Sequence, residues 1–354
     1  MVAPRGVHYL ESLGLARAPY TDPVSIYRYR DGIYATDLLT AAICWLDFFS
    51  WLDQHPADKP GICRHFEIHE RPTDVMLTLF RALGLLECRA GVFQLTALAR
   101  EHLVQRSPFF IGPYYAALRE RPVCKDFVEI LRTDRVANWM GLRDAKDWHR
   151  AMEDETFAAR FTAAMDARGV HLGQALARSL DCSRRTHLLD VGGGSGIYAC
   201  SLVTAWPQLR ATVFEKPPVD AACIKAIAER GCSERVAVAA GDMFEDAWPG
   251  GADLHLLSNV LHDWAEPEVR AILARSFSAL APGGSLVIHD AFINAQKDGP
   301  LPVAEYSALL MYLTRGKCWS VREHADFLAD AGFVDVDYRP TASDRGRMIA
   351  RKPA

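Results

Sequence analysis

The chain has 354 residues, 50% of them hydrophobic, and a net charge of −4 with a pI near 6.3. That balance offers neither the basic surface of a general nucleic-acid binder nor that of a membrane-surface protein, and no apolar run approaches the ~20 residues that cross a bilayer. The opening Met-Val-Ala-Pro-Arg-Gly lacks the apolar core of a secretory signal, which predicts cytoplasmic residence. Nine scattered cysteines without a CxxC pair suit reduced core thiols better than disulfides or a structural metal.

Residues 1–30 are rich in turn formers, with Pro19, Asp22 and Pro23, and read as an arm. Over residues 35–54, Leu38, Leu39, Ala42, Ile43, Leu46, Phe49 and Leu52 recur at helical spacing and predict one long helix. Its wide face, carrying Trp45, Phe48 and Trp51 besides, can bury within one domain or against a second subunit. Residues 61–68 and 71–83 predict two more helices, the second stopped by Gly84. Residues 85–89 and 92–95 then read as two short strands around a turn, with a helix over 97–104 after them. Helix, turn, helix and hairpin make a winged helix. The stretch that would read DNA, residues 73–86, offers one basic residue, Arg81, against the acid Asp74, so the module is assigned to packing or dimerisation and not to nucleic acid. Residues 107–147 carry Phe109, Phe110, Pro113, Tyr114, Tyr115, Pro122 and Trp139 and predict linking helices. A helix over 148–165 follows, with Met152, Phe157, Phe161 and Met165 in a stripe that is either core or a substrate wall.

From about residue 170 strands and helices alternate. A buried strand over 188–191 runs into a turn with glycines at 192, 194 and 196 after Asp190, and Ile197 excludes the G-x-G-x-x-G of a dinucleotide site. This spacing favours S-adenosylmethionine over NAD. A second strand ends in Glu215, about 20 residues on, where a carboxylate can accept from both hydroxyls of a ribose. A third leads to Gly241-Asp242-Met243, a carboxylate for an adenine amino group and a thioether for its ring face. Each acid alone could cap a helix, but the ordered set points to a nucleoside cofactor. Strands over 253–257 and 285–289, helices over 266–280 and 320–331, and closing strands over 333–338 and 345–351 complete a doubly wound α/β domain. The expected division is an arm and mainly α winged-helix dimerisation domain over 1–106, a helical linker over 107–169, and a Rossmann-like catalytic domain over 170–354.

His262 lies just past one strand end, Asp290 closes another, and Glu323 stands in the first turn of a helix. Imidazole can take a proton from a hydroxyl near neutral pH while a carboxylate on its other nitrogen fixes the tautomer, so the three form a candidate base and its supports. Duller roles exist for each: a satisfied histidine, a turn acceptor and a capping box. His289 and Asp263 adjoin them, but side-chain alternation turns at least one elsewhere. Two histidines and a carboxylate can hold iron or zinc, yet no ligand spacing compels a metal, and none is assigned.

Asp190-Val-Gly-Gly-Gly-Ser-Gly, Gly241-Asp-Met, Asn259-Val-Leu-His-Asp-Trp and Ala281-Pro-Gly-Gly, in that order behind a winged helix, resemble the class I small-molecule O-methyltransferases. That group includes plant caffeate and flavonoid enzymes, acetylserotonin O-methyltransferase and bacterial natural-product tailoring enzymes, and the resemblance covers almost the whole chain. It implies that His262 is the general base flanked by Asp290 and Glu323. It also implies that Glu215 holds the ribose, that Asp242 and Met243 contact adenine, and that the N-terminal module makes an intertwined homodimer. Position 290 carries Asp where plant members usually have Glu, and Ser258 stands where many have a lysine near the cofactor. The resulting expectation is methyl transfer from S-adenosylmethionine, leaving S-adenosylhomocysteine, to a hydroxyl of a small aromatic metabolite. Met165, Met311 and Tyr312 are candidates for the acceptor pocket. Methylation of an activated carbon and a winged-helix regulator that senses S-adenosylmethionine are the alternatives.

Overall fold

The structure, a computed structural model, describes Leu15, residues 19–137 and residues 151–354. Trp139, Trp148 and most of the expected arm lie outside them. Two units share the chain without following its order: Ser25–Trp148 with Phe292–Arg322, and Met1–Val24 with His149–Ala291 and Glu323–Ala354.

In the first unit the apolar stretch over 35–54 forms two helices, Ala35–Cys44 and Phe48–Gln54, in place of the single helix its periodicity predicts. The chain breaks at Asp47, which takes a left-handed conformation (φ +47°). Periodicity is blind to this break because Leu38, Phe48, Phe49 and Leu52 all remain fully buried across it. Helices Lys59–Phe66 and Glu70–Ala82 follow, the first capped by Asp58, which accepts from the Gly61 amide at 2.8 Å. β1 (Ala57–Asp58), β2 (Leu86–Arg89) and β3 (Val92–Leu95) pair antiparallel in the order β1-β3-β2. The expected hairpin therefore gains a two-residue third strand, too short to show alternation in the sequence. The two arginines of helix Glu70–Ala82 are engaged within this unit. Arg71 donates to Asp134 (2.7 Å) and to the Gly316 carbonyl (2.8 Å), and Arg81 to the Lys297 carbonyl (3.0 Å). Helix Leu301–Leu313, which the sequence reading leaves unassigned, is apolar on almost every side, with Glu305 its one charge, and so has no period to read.

The second unit is organised by β4 (His187–Val191), β5 (Arg210–Glu215), β6 (Val236–Ala240), β7 (Leu254–Ser258), β8 (Ser285–Asp290), β9 (Val334–Pro340) and β10 (Gly346–Arg351). Their order is β6-β5-β4-β7-β8-β10-β9, parallel throughout except for β10, which runs antiparallel to both β8 and β9. β7 and β8 are buried at every residue, as strands covered on both faces must be. Strand order reverses between β4 and β7, so the turns leaving these two strands flank the crevice where open α/β sheets bind ligands.

The helix expected over 148–165 is Glu155–Ser179, with Asp154 accepting from the Phe157 amide at 2.8 Å. It runs past residue 170, where the strand and helix alternation was expected to begin. Gly169 and Gly173 lower its helical propensity but bring it against helix Ile197–Ala205. A Cβ on Gly169 would fall 2.4 Å from Ile197 Cγ2, and one on Gly173 would fall 2.6 Å from Ser201 Oγ. No single helix among the described residues is long and apolar enough to cross a membrane. Gly169→Ala should therefore lower unfolding free energy in denaturant by about 1–3 kcal/mol, overpacking outweighing the propensity gain. A variant as stable as the parent would contradict this helix contact.

Candidate active site

The turn after β4 needs its glycines. Gly192, Gly194 and Gly196 have φ of +66°, +59° and +73°, and Gly196 opens helix Ile197–Ala205. The Gly192 amide donates to the Phe214 carbonyl (2.9 Å), which ties the turn to β5. A Cβ on Gly192 would meet Met243 Cε and Val260 Cγ2, both at 3.2 Å, whereas one on Gly194 would meet nothing within 4 Å. The turn thus has a walled floor and an open outer edge.

Glu215, at the end of β5, bridges this turn to its own strand: Oε2 accepts from the Gly194 amide and Oε1 from the Lys216 amide, both at 2.9 Å. A carboxylate offers about four lone-pair directions, so two amides leave it able to accept from a diol. Burial pushes its pKa up to about 7 against those two hydrogen bonds. Asp190 is completely buried beneath the turn, and neither carboxylate oxygen has a hydrogen-bond partner of normal geometry. Its pKa is also pushed up to about 7, by burial first, with the Ala199 amide opposing and Glu215 adding to the rise. Beyond β6, Asp242 Oδ1 accepts from the Phe244 amide (2.8 Å), and Oδ2 lies 3.7 Å from Lys216 Nζ. The open cradle at Gly194, the Glu215 carboxylate and the Met243 thioether at the Gly192 floor fit a nucleoside with a ribose diol. Ser258 is turned instead to His289, its Oγ 3.0 Å from Nδ1, and receives the Asn259 side-chain amide at 3.1 Å.

The turn after β7 delivers the imidazole. Asn259 takes the left-handed conformation (φ +54°) that Asn tolerates better than most residues, its amide held by the His289 carbonyl at 2.8 Å. A single 3₁₀ turn, Leu261–Asp263, follows and leaves His262 4% exposed. His262 Nδ1 makes a short hydrogen bond to Asp290 Oδ1, which also accepts from the Ala291 amide at 2.7 Å. Burial alone would raise the Asp290 pKa; the His262 charge and hydrogen bond outweigh it and hold the carboxyl below its usual range. An ionised carboxylate can only accept, so Nδ1 is the donor, and the neutral ring carries its lone pair on Nε2. Asp263 Oδ1 lies 3.6 Å from Nε2, and its pKa is pushed up to about 6, burial outweighing the attraction of His262.

Alternation separates the two residues at the end of β8. Asp290 turns to His262, while His289 turns to Ser258 and, at 3.3 Å, to Thr341; burial drops its pKa to about 3. Glu323 stands half-buried in the first turn of helix Val321–Asp330, beside the buried His324, whose charge bears on Asp290. Among the described residues no group of three or more His, Cys, Asp or Glu side chains is arranged to hold a metal. Met165 is half-buried on helix Glu155–Ser179. In the other unit Met311 is fully buried on helix Leu301–Leu313, and the Tyr312 hydroxyl donates to Asp126 at 2.6 Å, its ring centroid 4.7 Å from that of Tyr34. Sequence reasoning passed over Ser195, Asp166 and Arg230, which meet at the glycine turn, because they lie far apart in the chain.

Residues 125–334 match the family model described as an O-methyltransferase domain. The chain is 35% identical over 309 residues to the 3-hydroxy-5-methyl-1-naphthoate 3-O-methyltransferase of Streptomyces sahachiroi, spanning 86% of this chain and 88% of that one. It is 31% identical over 337 residues to the L-tyrosine C(3)-methyltransferase of Streptomyces lavendulae, spanning 91% and 90%. Among solved structures, an O-methyltransferase family 2 protein from Planctomyces limnophilus in complex with apigenin superposes with a TM-score of 0.86 at 33% identity, covering 96% of this chain and 98% of that one. PigF with SAH superposes with a TM-score of 0.60 at 25% identity, covering 94% and 100%.

Asp190 keeps its proton to about pH 7 when folded and to about pH 4 when unfolded. Between these values the folded chain binds more protons, so this group makes stability fall as pH rises. Asp190→Asn removes that term. Its stability relative to the parent, from urea unfolding, should improve between about pH 5 and about pH 8 by on the order of 1–3 kcal/mol. The same difference at both pH values would show that the carboxyl is not held neutral by burial.

Proposed function

The chain belongs to the O-methyltransferase family, and from that membership we propose how its residues move a methyl group onto a hydroxyl of a small aromatic metabolite, with His262 as the base. It is an S-adenosylmethionine-dependent O-methyltransferase. When bound, S-adenosylmethionine supplies a methyl carbon made electrophilic by its sulfonium sulfur. The glycine turn of residues 192–196 and Glu215 hold the ribose end in this reading, and Asp242 and Met243 the adenine, while Asp190 supports the turn from below. Ser258, bonded to His289, steadies the turn that carries His262.

The observation that carries the proposal is the His262–Asp290 pair, buried across the switch point from the glycine turn. Nε2 takes the proton of the acceptor hydroxyl and Asp290 stabilises the resulting imidazolium; with the donor bound, the oxygen would gain the methyl carbon as its bond to sulfur breaks, leaving S-adenosylhomocysteine. Glu323 is assigned as the second flanking support of His262. Aligning the acceptor oxygen with the methyl carbon is then the main task of the protein, and Met165 is assigned to the acceptor side of the site. The aromatic acceptor rests on relatives: one is named for a hydroxynaphthoate, and another was solved with apigenin. Methylation of a ring carbon is a second reading favoured by the relative named for tyrosine C(3). In it the same histidine deprotonates a neighbouring hydroxyl, and mass spectrometry of the product separates the two.

The first unit leaves Ile26 72%, Tyr29 89% and Tyr114 82% accessible, apolar side chains that a second copy of the chain could cover. We assign this surface to a homodimer, with residence in the cytoplasm. Ile26→Glu with Tyr29→Glu should shift the mass seen by light scattering to that of the monomer; a monomeric parent would remove the assignment. His262→Ala should lower transfer of labelled methyl to a panel of phenols by about 10²–10⁴-fold, with S-adenosylhomocysteine affinity by calorimetry unchanged. Turnover at the parent rate would eliminate His262 as the base.

A further inference from the structure

Four of the five residues of the turn 192–196 are glycines, so Ser195 is its only side-chain handle. Glycine carries little conformational preference of its own, and the turn must be ordered by what it is tied to. Its backbone ties are the Gly192 amide to Phe214, the Gly194 amide to Glu215 and the Gly196 amide to Gly193. Its side-chain tie is Ser195, 5% exposed, whose hydroxyl makes a short hydrogen bond to Asp166 Oδ1 on helix Glu155–Ser179. Arg230, the residue after helix Val219–Glu229, donates to both oxygens of that carboxylate, at 2.7 Å to Oδ1 and 2.6 Å to Oδ2. Both bonds come from a single nitrogen, Nη2, and the Arg230 and Asp166 side chains are 12% and 24% exposed, so this charge-assisted contact is shielded on most sides. One carboxylate thus joins the glycine turn to two helices.

We propose that Asp166, clamped by Arg230, is a positioning residue for methyl-donor binding. It holds Ser195 and thereby keeps the neighbouring Gly194 amide on Glu215, the carboxylate assigned to the ribose. The inference rests on the assignment of the turn and Glu215 to S-adenosylmethionine. Without the tether the turn samples other conformations, and the donor must select the competent one from a smaller population, which weakens binding before it slows chemistry.

The test measures S-adenosylhomocysteine binding by calorimetry, and KM and kcat for S-adenosylmethionine, on the full chain and on Ser195→Ala, Ser195→Thr, Asp166→Asn and the Ser195→Ala/Asp166→Asn double variant. Ser195→Ala and Asp166→Asn should each weaken binding and raise KM about tenfold while kcat changes less than about threefold. Ser195→Thr, which keeps the hydroxyl, should bind like the parent. The double variant should be no weaker than the worse single variant, since both cut one tether. If Asp166→Asn fails to fold, the comparison of Ser195→Ala with Ser195→Thr decides. A parent that binds, with Ser195→Ala binding equally tightly, overturns this inference alone. A parent that does not bind S-adenosylhomocysteine removes the cofactor assignment, and this inference with it.

Discussion

The hydrogen bond from His262 Nδ1 to Asp290 Oδ1 governs the rest of the site because it decides which ring nitrogen carries a lone pair. A buried imidazole with no fixed partner would divide between two tautomers, only one of which can take a proton through Nε2. Asp290 ends a strand buried on both faces, which costs its charged form; the imidazole and the Ala291 amide restore it. The backbone contributes as well. The left-handed Asn259, anchored to the His289 carbonyl, sends the chain into the short turn that sets His262 beside β8.

Four acids near the two strand-end turns, Asp263 half-buried and the others buried, are driven in opposite directions. Asp290 is held below its ordinary range by its partner, while Asp190, Glu215 and Asp263 are pushed up by burial to about 7, about 7 and about 6. Separated values of this kind let neighbouring carboxyls take different roles at one pH. Asp290 keeps its charge and orients the base, whereas Asp190, without a hydrogen-bond partner of normal geometry, supports the glycine turn from below at a cost in stability that grows with pH.

Much of this was legible from residue types at strand ends. Three left-handed positions in one turn demanded glycines, so residues 192–196 announced themselves, and the acids closing β5 and following β6 fell where parallel strands end. Alternation implied that at least one of His289 and Asp263 points away from the candidate base, and His289 turns to Ser258. What stayed hidden depended on contacts between distant residues or on patterns without a period. Helix Leu301–Leu313 is apolar on almost every side, the break at Asp47 leaves the buried stripe intact, and Gly169 and Gly173 argue against a helix that they in fact allow to pack. Ser195, Asp166 and Arg230 meet across 29 and 64 positions of sequence, with no spacing to connect them. The Ser258–His289 hydrogen bond at 3.0 Å likewise joins residues 31 positions apart.

The most direct test of the account is a crystal structure of the protein with S-adenosylhomocysteine and a methylatable phenol. The acceptor oxygen should lie within about 2.6–3.2 Å of His262 Nε2, on the line toward the sulfur, with Nδ1 still on Asp290. A phenol bound productively toward the sulfur but with its hydroxyl out of reach of that nitrogen would contradict the role assigned to His262.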